Sequence, residues 1–288
     1  MHRRTGLHRL LYGRLIGFGI AACVALVASL AAAAAARAQA PAKDDPWPDL
    51  IVNVFDGKAI AESPDIIRLD APKRAEDAAL VPMTIAMTPP AGQSVKRVTL
   101  VVDENPAPVA AVFVLGDKAN IAEISTRVRV NAYSNVHAVA ELDDGSLHMA
   151  VVYVKASGGC SAPAGKDPDE ALANLGKMKF RQFPAKDKPV ANMTPLREAQ
   201  LLMRHPNNSG LQMDQITHLY IPPRFVQDLK VLQGDDLILR VEGGISISED
   251  PNFRFTFRPN GAKTYRVEAV DTDNASFSGE WPVEDAGS

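Results

Sequence analysis

Cys160 is the residue of this sequence best placed to do covalent chemistry. The 288-residue chain contains two cysteines, Cys23 and Cys160. Cys23 lies in an apolar N-terminal stretch typical of an export signal, so the exported chain would keep Cys160 alone in an oxidising compartment. A lone thiol there is buried and inert, joined to a second chain, or chemically used.

The neighbours of this cysteine predict an exposed thiol. Residues 157–163, here called the Cys160 segment, contain Gly158 and Gly159 before the thiol and small residues after it. Glycine tolerates almost any backbone angle, so we expect Gly158 and Gly159 to make this segment a flexible arm. An ordinary thiol is only a few per cent thiolate at neutral pH, which suits a group loaded by another enzyme.

The histidines are weaker candidates. If Asp144-Gly145 forms a two-residue hairpin loop, His148 lies opposite Glu141 as a surface pair and His137 lies opposite Val152. Neither forms a recognised metal-ligand spacing with Cys160. His205 and His218 have no motif around them.

Recognised catalytic signatures are missing from the sequence. It has no glycine-rich phosphate loop, no H-E-x-x-H and no G-x-S-x-G, so we expect no catalytic residues, no cofactor and no metal. Arg127 and Arg129 alternate on one predicted strand and could hold a partner, although a solvated stripe is the simpler interpretation.

Residues 1–40 predict a cleavable signal peptide. Five arginines and no acidic residue precede or flank an apolar run that ends in alanines, and cleavage is expected near Ala38 or Ala40. The Arg3-Arg4 pair leaves twin-arginine export open. The apolar run could instead be an uncleaved transmembrane helix. The residues before Cys23 also resemble a lipidation motif. We expect a periplasmic protein that is free of the membrane after cleavage.

The rest of the chain is acidic. Residues 41–288 hold 26 basic and 34 acidic side chains, a net charge of about −8. Nucleic-acid binding needs a basic footprint, so no nucleic acid is expected as a partner.

Period-two patterns predict an all-β fold. A short amphipathic helix is expected over 47–55, and short strands separated by turn residues follow it, as in Ile124/Thr126/Val128/Val130 and Phe253/Phe255/Phe257. This spacing is typical of immunoglobulin-like sandwiches. We predict two such β-sandwich domains in tandem, over 41–160 and 191–288, with a linker and a short helix over 161–190.

Short motifs in both blocks resemble a known carrier family. The first block contains Glu104-Asn105-Pro106-x-Pro108, Ser125-Thr126-Arg127-x-Arg129, Ala138-Val139-Ala140-Glu141-x-x-Asp144-Gly145 and Gly158-Gly159-Cys160, and the second contains His205-Pro206, Ser248-x-x-Pro251 and the strand over 253–257. In this order they resemble SoxY and SoxZ, the subunits of the sulfur-oxidation carrier. The whole chain resembles the fused SoxYZ-like carriers associated with quinoprotein dehydrogenases.

The resemblance implies a carrier and not a catalyst. It implies that Cys160 holds a sulfur-containing intermediate covalently while periplasmic redox enzymes act on it: a c-type cytochrome, a sulfur-oxidation hydrolase or a quinoprotein dehydrogenase. The family's arm ends at a free C-terminus, whereas Ser161-Ala162-Pro163 follows Cys160 in this chain.

Three alternatives remain. The chain could be a non-covalent docking module for a dehydrogenase or cytochrome, Cys160 could link two chains as a disulfide, or the thiol could serve a peroxidase. The last is the weakest, because no resolving cysteine is present.

Overall fold

The computed structural model describes residues 45–165, 168–183 and 195–284. The predicted signal peptide and its cleavage sites lie outside the described residues, as does the part of the predicted linker over 184–190. Among the described residues, no helix is long and apolar enough to cross a membrane.

Strands dominate the described part of the chain. In chain order the elements are α1 Trp47–Phe55, β1 Ile60–Glu62, β2 Ile67–Asp70, β3 Val81–Met87, β4 Val95–Val102, β5 Val109–Leu115, β6 Glu123–Val128, β7 Ser134–Leu142, β8 Leu147–Val154, α2 Pro168–Ala173, β9 Met178–Phe183, β10 Arg197–Met203, β11 Val226–Gln233, β12 Asp236–Gly243, β13 Asn252–Phe257, β14 Thr264–Asp271 and β15 Ser276–Pro282. The prediction of a mostly β protein is confirmed.

The strands form two sheets, and each sheet runs through both blocks. The nine-stranded sheet has the order β1-β8-β7-β4-β5-β12-β11-β14-β15, and the six-stranded sheet has the order β2-β3-β6-β13-β10-β9. Strand β5 pairs with β12 and strand β6 pairs with β13, both antiparallel. Each block contributes strands to both sheets, which is consistent with immunoglobulin-like sandwiches, and the two blocks are joined edge to edge through both sheets. The domain boundaries at 160 and 191 stay a prediction.

One hydrophobic core lies between the two sheets. Its buried residues come from both blocks, and the rings of Phe113 and Phe253, one from each block, lie 6.3 Å apart in an edge-on arrangement. Aromatic pairs at this distance stabilise a core beyond the area that they bury. This shared core holds the loops of the second block against the end of the first.

Helix α1 covers one outer face of the nine-stranded sheet. Pro46 precedes it with φ −76°, an angle already suited to a helix, and Asp56 ends it in the left-handed conformation. Trp47 and Phe55 are buried against the sheet residues Val101 and Val139. The predicted helix over 47–55 is confirmed.

The β7–β8 hairpin has a register one residue away from the prediction. The loop has three residues between Leu142 and Ser146, with Gly145 at φ +82°, because a turn is followed here by a left-handed residue. His148 therefore lies opposite Ala140, and His137 opposite Val151. The predicted His148–Glu141 surface pair is wrong.

Strand β9 lies within the predicted linker over 161–190. Met178–Phe183 pairs antiparallel with β10 at the edge of the six-stranded sheet. Phe180 anchors it, since its ring packs 4.9 Å from Tyr265 and 5.5 Å from Trp281. The sequence analysis missed this strand because basic residues surround Phe180, the single buried aromatic side chain of its period-two pattern.

Candidate functional site

The Cys160 segment follows β8 and is packed against the protein. Cys160 is a free cysteine with 0% of its surface exposed. The prediction that this thiol is exposed is therefore wrong for the conformation observed, whereas the flexibility of the segment stays a prediction. The small residues that suggested flexibility instead allow close packing.

The two glycines have specific structural roles. Gly158 has φ +77°, a conformation that other residues rarely adopt. A Cβ atom at Gly159 would lie 2.1 Å from the carbonyl oxygen of Ala78 and 2.7 Å from that of Val130. Only glycine fits at position 159 in this conformation, while the role of Gly158 and Gly159 in arm flexibility stays a prediction.

Backbone hydrogen bonds fix the segment on the first block. The amide of Gly158 donates to the carbonyl of Asn131 at 2.8 Å, and that of Gly159 donates to the carbonyl of Val130 at 3.1 Å. Asn105 stabilises the backbone over 129–131 to which these amides bind. Its Nδ2 donates to the carbonyl of Arg129 at 2.7 Å, and its Oδ1 accepts from the Asn131 amide at 2.8 Å. Asn105 is thus part of the site. The sequence analysis named it only as a member of the Glu104-Asn105-Pro106-x-Pro108 motif that carries the family resemblance.

The second block holds the other side of the segment. The hydroxyl of Ser209 donates to the carbonyl oxygen of Cys160, and Nε2 of Gln212 donates to that of Ala162 at 3.0 Å. Further along, the Gly165 amide donates to Oε2 of Glu249 at 2.8 Å. Ser209 and Gln212 are buried and were missed by the sequence analysis, because nothing in one sequence shows that a distant loop meets the thiol.

Arg129 lies beneath the segment. It is 1% exposed, its Nη1 donates to the carbonyl of Gly159 and its Nη2 to the carbonyl of Asn207, both at 3.3 Å. The interpretation of Arg127 and Arg129 as a solvated stripe is wrong: Arg127 is also partly covered and donates to the carbonyl of Asp250 at 3.1 Å. The loops of the second block cover this strand face.

Burial controls the chemistry of the thiol. It raises the pKa of Cys160 to about 11, and the nearby charge of Arg129 acts in the opposite direction. Burial disfavours the charged form of any acid, and only the thiolate is nucleophilic. In this position Cys160 is a protected thiol and not an activated one.

A buried polar cluster supports the loop that covers Cys160. Nε2 of His205 lies 3.3 Å from Oδ2 of Asp271, which also accepts from Nε of Arg224 at 2.9 Å. The Asn207 amide donates to Nδ1 of His205 at 3.0 Å, so the neutral ring carries its proton on Nε2. This cluster fixes the loop over 205–209 from which Ser209 reaches the segment.

The pH dependence of unfolding tests this cluster. Burial lowers the pKa of His205, with the hydrogen bond to Asp271 opposing it, so the folded chain binds fewer protons than the unfolded chain below about pH 6.5. The free energy of unfolding should fall as pH drops from 7 to 5.5, by at most about 1.4 kcal/mol per pH unit for one proton. Urea unfolding of His205→Gln should show a flatter pH slope.

The exposed His218 provides the matched control for this measurement. His218→Gln should keep the slope of the original protein. Equal slopes for His205→Gln and the original protein would contradict a role for His205 in acid sensitivity.

The other histidines lie away from Cys160. His137 is buried, stacks on Trp47 at 3.6 Å and lies 3.1 Å from Oδ2 of Asp103, while His148 contacts the hydroxyls of Ser63 and Ser146. Within residues 45–165, 168–183 and 195–284, no group of three or more potential metal-ligating side chains is present.

Family models match both blocks of the chain. The chain matches the family of sulfur oxidation protein SoxY over residues 51–160 and that of sulphur oxidation protein SoxZ over residues 187–282. No curated protein matches the chain.

Solved structures include a relative that is 30% identical to part of this chain. The sulfur carrier protein SoxY from Chlorobium limicola f thiosulfatophilum is 30% identical over 38% of this chain and 91% of that chain, with a TM-score of 0.34. The superoxide reductase (neelaredoxin) from Ignicoccus hospitalis is 16% identical over 31% of this chain and 79% of that chain, with a TM-score of 0.25.

Proposed function

The chain belongs to the SoxY and SoxZ families, which it joins in one polypeptide, and from this premise we propose that it is a sulfur carrier that holds a sulfur-containing intermediate covalently on Cys160. The protein does not itself catalyse the reactions of that intermediate. It works in the periplasm with redox enzymes: a c-type cytochrome, a sulfur-oxidation hydrolase or a quinoprotein dehydrogenase.

One observation carries this proposal. The SoxY match ends on Cys160, the free cysteine of the described chain, directly after Gly158 and Gly159. A solved relative in the same family is a sulfur carrier protein. A thiol is the side chain that forms a reversible bond to sulfur, so Cys160 supplies the chemistry that a sulfur carrier needs.

Loading the thiol requires a partner. Joining the sulfur of Cys160 to a second thiol-type sulfur forms one S–S bond and breaks two S–H bonds, so two protons go to water and a redox enzyme such as a c-type cytochrome must accept two electrons. The buried thiol must also leave its docked position first, because its sulfur is inaccessible there. Docking thus protects the thiol between encounters with partners.

Undocking breaks a small set of contacts. The bonds from the second block come from Ser209 and Gln212 to the segment and from Glu249 to Gly165 just after it. The amides of Gly158 and Gly159 also give up their bonds to the first block. Each contributes about 1 kcal/mol, an amount that binding of a partner supplies easily. The same release would be needed for the Cys160 disulfide between two chains.

Replacement of the thiol tests the carrier role. In the cells that make this protein, Cys160→Ser should abolish oxidation of added thiosulfate, because a hydroxyl cannot form the S–S bond. The measurement is substrate-dependent oxygen consumption, and Ser161→Ala, a change at the adjacent exposed residue, serves as the control that keeps the rate.

The burial of Cys160 also favours the second candidate, a non-covalent docking module for a dehydrogenase or cytochrome. In that case the thiol is a small core residue without chemistry. A Cys160→Ser strain with an undiminished rate would support the docking module and contradict the carrier.

A further inference from the structure

Strand β8 leaves part of its outer edge unpaired. One edge pairs with β7 along the whole strand, whereas β1 covers the other edge only over 147–149. The chain over 73–75 returns to that edge further on: the Lys155 amide donates to the carbonyl of Lys73 at 3.0 Å, and the Ala75 amide donates to that of Lys155 at 3.1 Å. The edge of β8 is therefore open between residues 149 and 155.

Two residues in this opening present their backbone groups outward. Residues of an antiparallel strand alternate between those that bond to the neighbouring strand and those that face away from it. Met149 and Lys155 both bond outward, and Val151 and Tyr153 lie between them at two-residue spacing, so they face the same way. Their two amides and two carbonyls have no hydrogen-bond partner among the described residues. An edge with free donors and acceptors is a template for one more strand.

A groove of about 590 Å³ lies beside the opening. One wall comes from the chain that follows β2, and the other comes from the end of β8. The polar and aromatic side chains that line it are those of Asp70, Lys73, Arg74, Tyr153 and Lys155. The Tyr153 side chain is 49% exposed, so the groove also offers an aromatic ring.

The groove is basic although the protein is acidic. Lys73, Arg74 and Lys155 are exposed, and none of them forms an ion pair with another described residue. Asp70 is the one carboxylate among the lining residues of this groove. Residues 41–288 as a whole carry a net charge of about −8, so three unpaired cations beside one carboxylate are a local exception.

We propose that the open edge of β8 is a docking site for a short, extended, acidic segment of a partner protein, which joins the nine-stranded sheet as an added strand. The backbone of that segment bonds to Val151 and Tyr153, and its carboxylates pair with Lys73, Arg74 and Lys155. Strand addition of this kind derives its affinity from main-chain hydrogen bonds and its specificity from the side chains beside them. The opening is about 20 Å long, so a segment of about five residues fits it.

The same cations disfavour a second copy of this chain as the occupant. Two β8 edges paired with each other would bring like charges together, which destabilises a strand pair. Lysines commonly protect a sheet edge in this way. Lys73 and Arg74, however, lie on the opposite wall of the groove and not on the strand, where they face a bound segment. An acidic segment satisfies both the free backbone groups and the unpaired charges.

Docking at this edge brings a partner close to Cys160. Strand β8 leads into the Cys160 segment, and the thiol comes seven residues after Tyr153, at most about 25 Å of extended chain. A partner bound to β8 is therefore within reach of the thiol once the segment is released. This consequence rests on the proposed function, whereas the docking site does not.

Matched peptides separate backbone pairing from charge. The probes are a capped hexapeptide that alternates glutamate with valine, the same peptide with lysine in place of glutamate, and the glutamate peptide methylated at every backbone nitrogen. NMR of the full chain follows the amides of Val151 and Tyr153. The glutamate peptide should slow exchange of these amides about tenfold, and its dissociation constant should be about tenfold lower than those of the other two peptides.

Variants of the protein locate the site. Tyr153→Pro removes an outward amide, which an edge strand tolerates, and should weaken binding of the glutamate peptide about tenfold relative to Tyr153→Ala, which keeps the amide. Lys155→Glu should reverse the preference between the glutamate and lysine peptides. Lys263→Glu is the matched control: Lys263 is exposed and directly precedes β14, near the other end of the sheet, so the preference should stay unchanged.

Three results with the original protein would overturn the proposal: equal affinity for the glutamate and lysine peptides, equal affinity for the methylated peptide, or no protection of Val151 and Tyr153 at about 1 mM peptide. Protection that grows with the concentration of the protein alone would identify a second copy as the occupant and also overturn it. These comparisons decide even where Tyr153→Pro does not fold. The peptides carry no thiol, so their failure to bind leaves the carrier role of Cys160 standing, and an unmodified Cys160 in cells leaves the docking site standing.

Discussion

Gly159→Ala is expected to raise the rate at which Cys160 reacts with iodoacetamide at pH 7 by about a hundredfold or more. An added Cβ would lie 2.1 Å from the Ala78 carbonyl oxygen, so the Cys160 segment must move away from its docked position. Release returns the thiol from a pKa of about 11 towards its ordinary value of 9.0, which alone increases the thiolate fraction about a hundredfold. Mass spectrometry of the alkylated chain over time gives the rate.

Gly145→Ala is the matched control for this substitution. Gly145 has φ +82°, which strains alanine, but no atom lies within 4 Å of the Cβ that it would gain, so this control lacks the clash that Gly159→Ala creates. The control should lose a little stability and keep slow alkylation. If Gly159→Ala remains folded by circular dichroism and alkylates as slowly as the original protein, the docked position of the thiol is contradicted.

Asn105→Ala is expected to lower the free energy of unfolding by about 3 kcal/mol, the largest stability effect among the site residues. The buried amide joins the two blocks: it donates to the Arg129 carbonyl and to the hydroxyl of Ser246, and it accepts from the Asn131 amide. Its removal leaves the buried Arg129 carbonyl and the partly buried Asn131 amide without this partner, while the Ser246 hydroxyl keeps its bond to the Ala107 carbonyl. Unsatisfied buried groups cost more than the loss of the same bonds at a surface. Urea unfolding measures the change.

Asn260→Ala provides the comparison at the surface. Asn260 also makes several hydrogen bonds, including those from Nδ2 to the Gln233 carbonyl and to Asp236, but it is exposed. Water replaces those partners, so we expect a loss of about 1 kcal/mol or less. A loss for Asn105→Ala no larger than this would contradict the role of Asn105 in joining the blocks.

Strand positions follow closely from the sequence, whereas the joining of the two blocks does not. Alternating patterns such as Phe253/Phe255/Phe257 identify a buried strand face, because period-two burial is a local property of the chain. The pairings of β5 with β12 and of β6 with β13 depend on which strand edges meet. A single sequence holds no local signal for that choice.

The candidate site divides in the same way. Cys160 follows from cysteine counting and from its place after two glycines, both of which are local. Its burial does not, because a run of small residues is compatible with both flexibility and tight packing. Gly159 decides between the two through its distance from Ala78 and Val130, which only the fold provides.

The positions of Arg129 and Ser209 also depend on tertiary contacts that the sequence does not show. Arg129 alternates with hydrophobic neighbours on β6 and its extension, a pattern that predicts a solvent-facing side chain. The loop over 205–212 of the second block covers that face and brings Ser209 to the Cys160 carbonyl. Charges that face another part of the chain resemble exposed charges until the tertiary contacts are known.

The intact mass of the protein isolated from the cells that make it, with and without a reductant, tests the central claim most directly. A covalent carrier should show a population of molecules heavier than the unmodified chain, the added mass should map to Cys160, and the reductant should remove it. A single unmodified mass in protein taken from cells that are oxidising sulfur compounds would contradict the account.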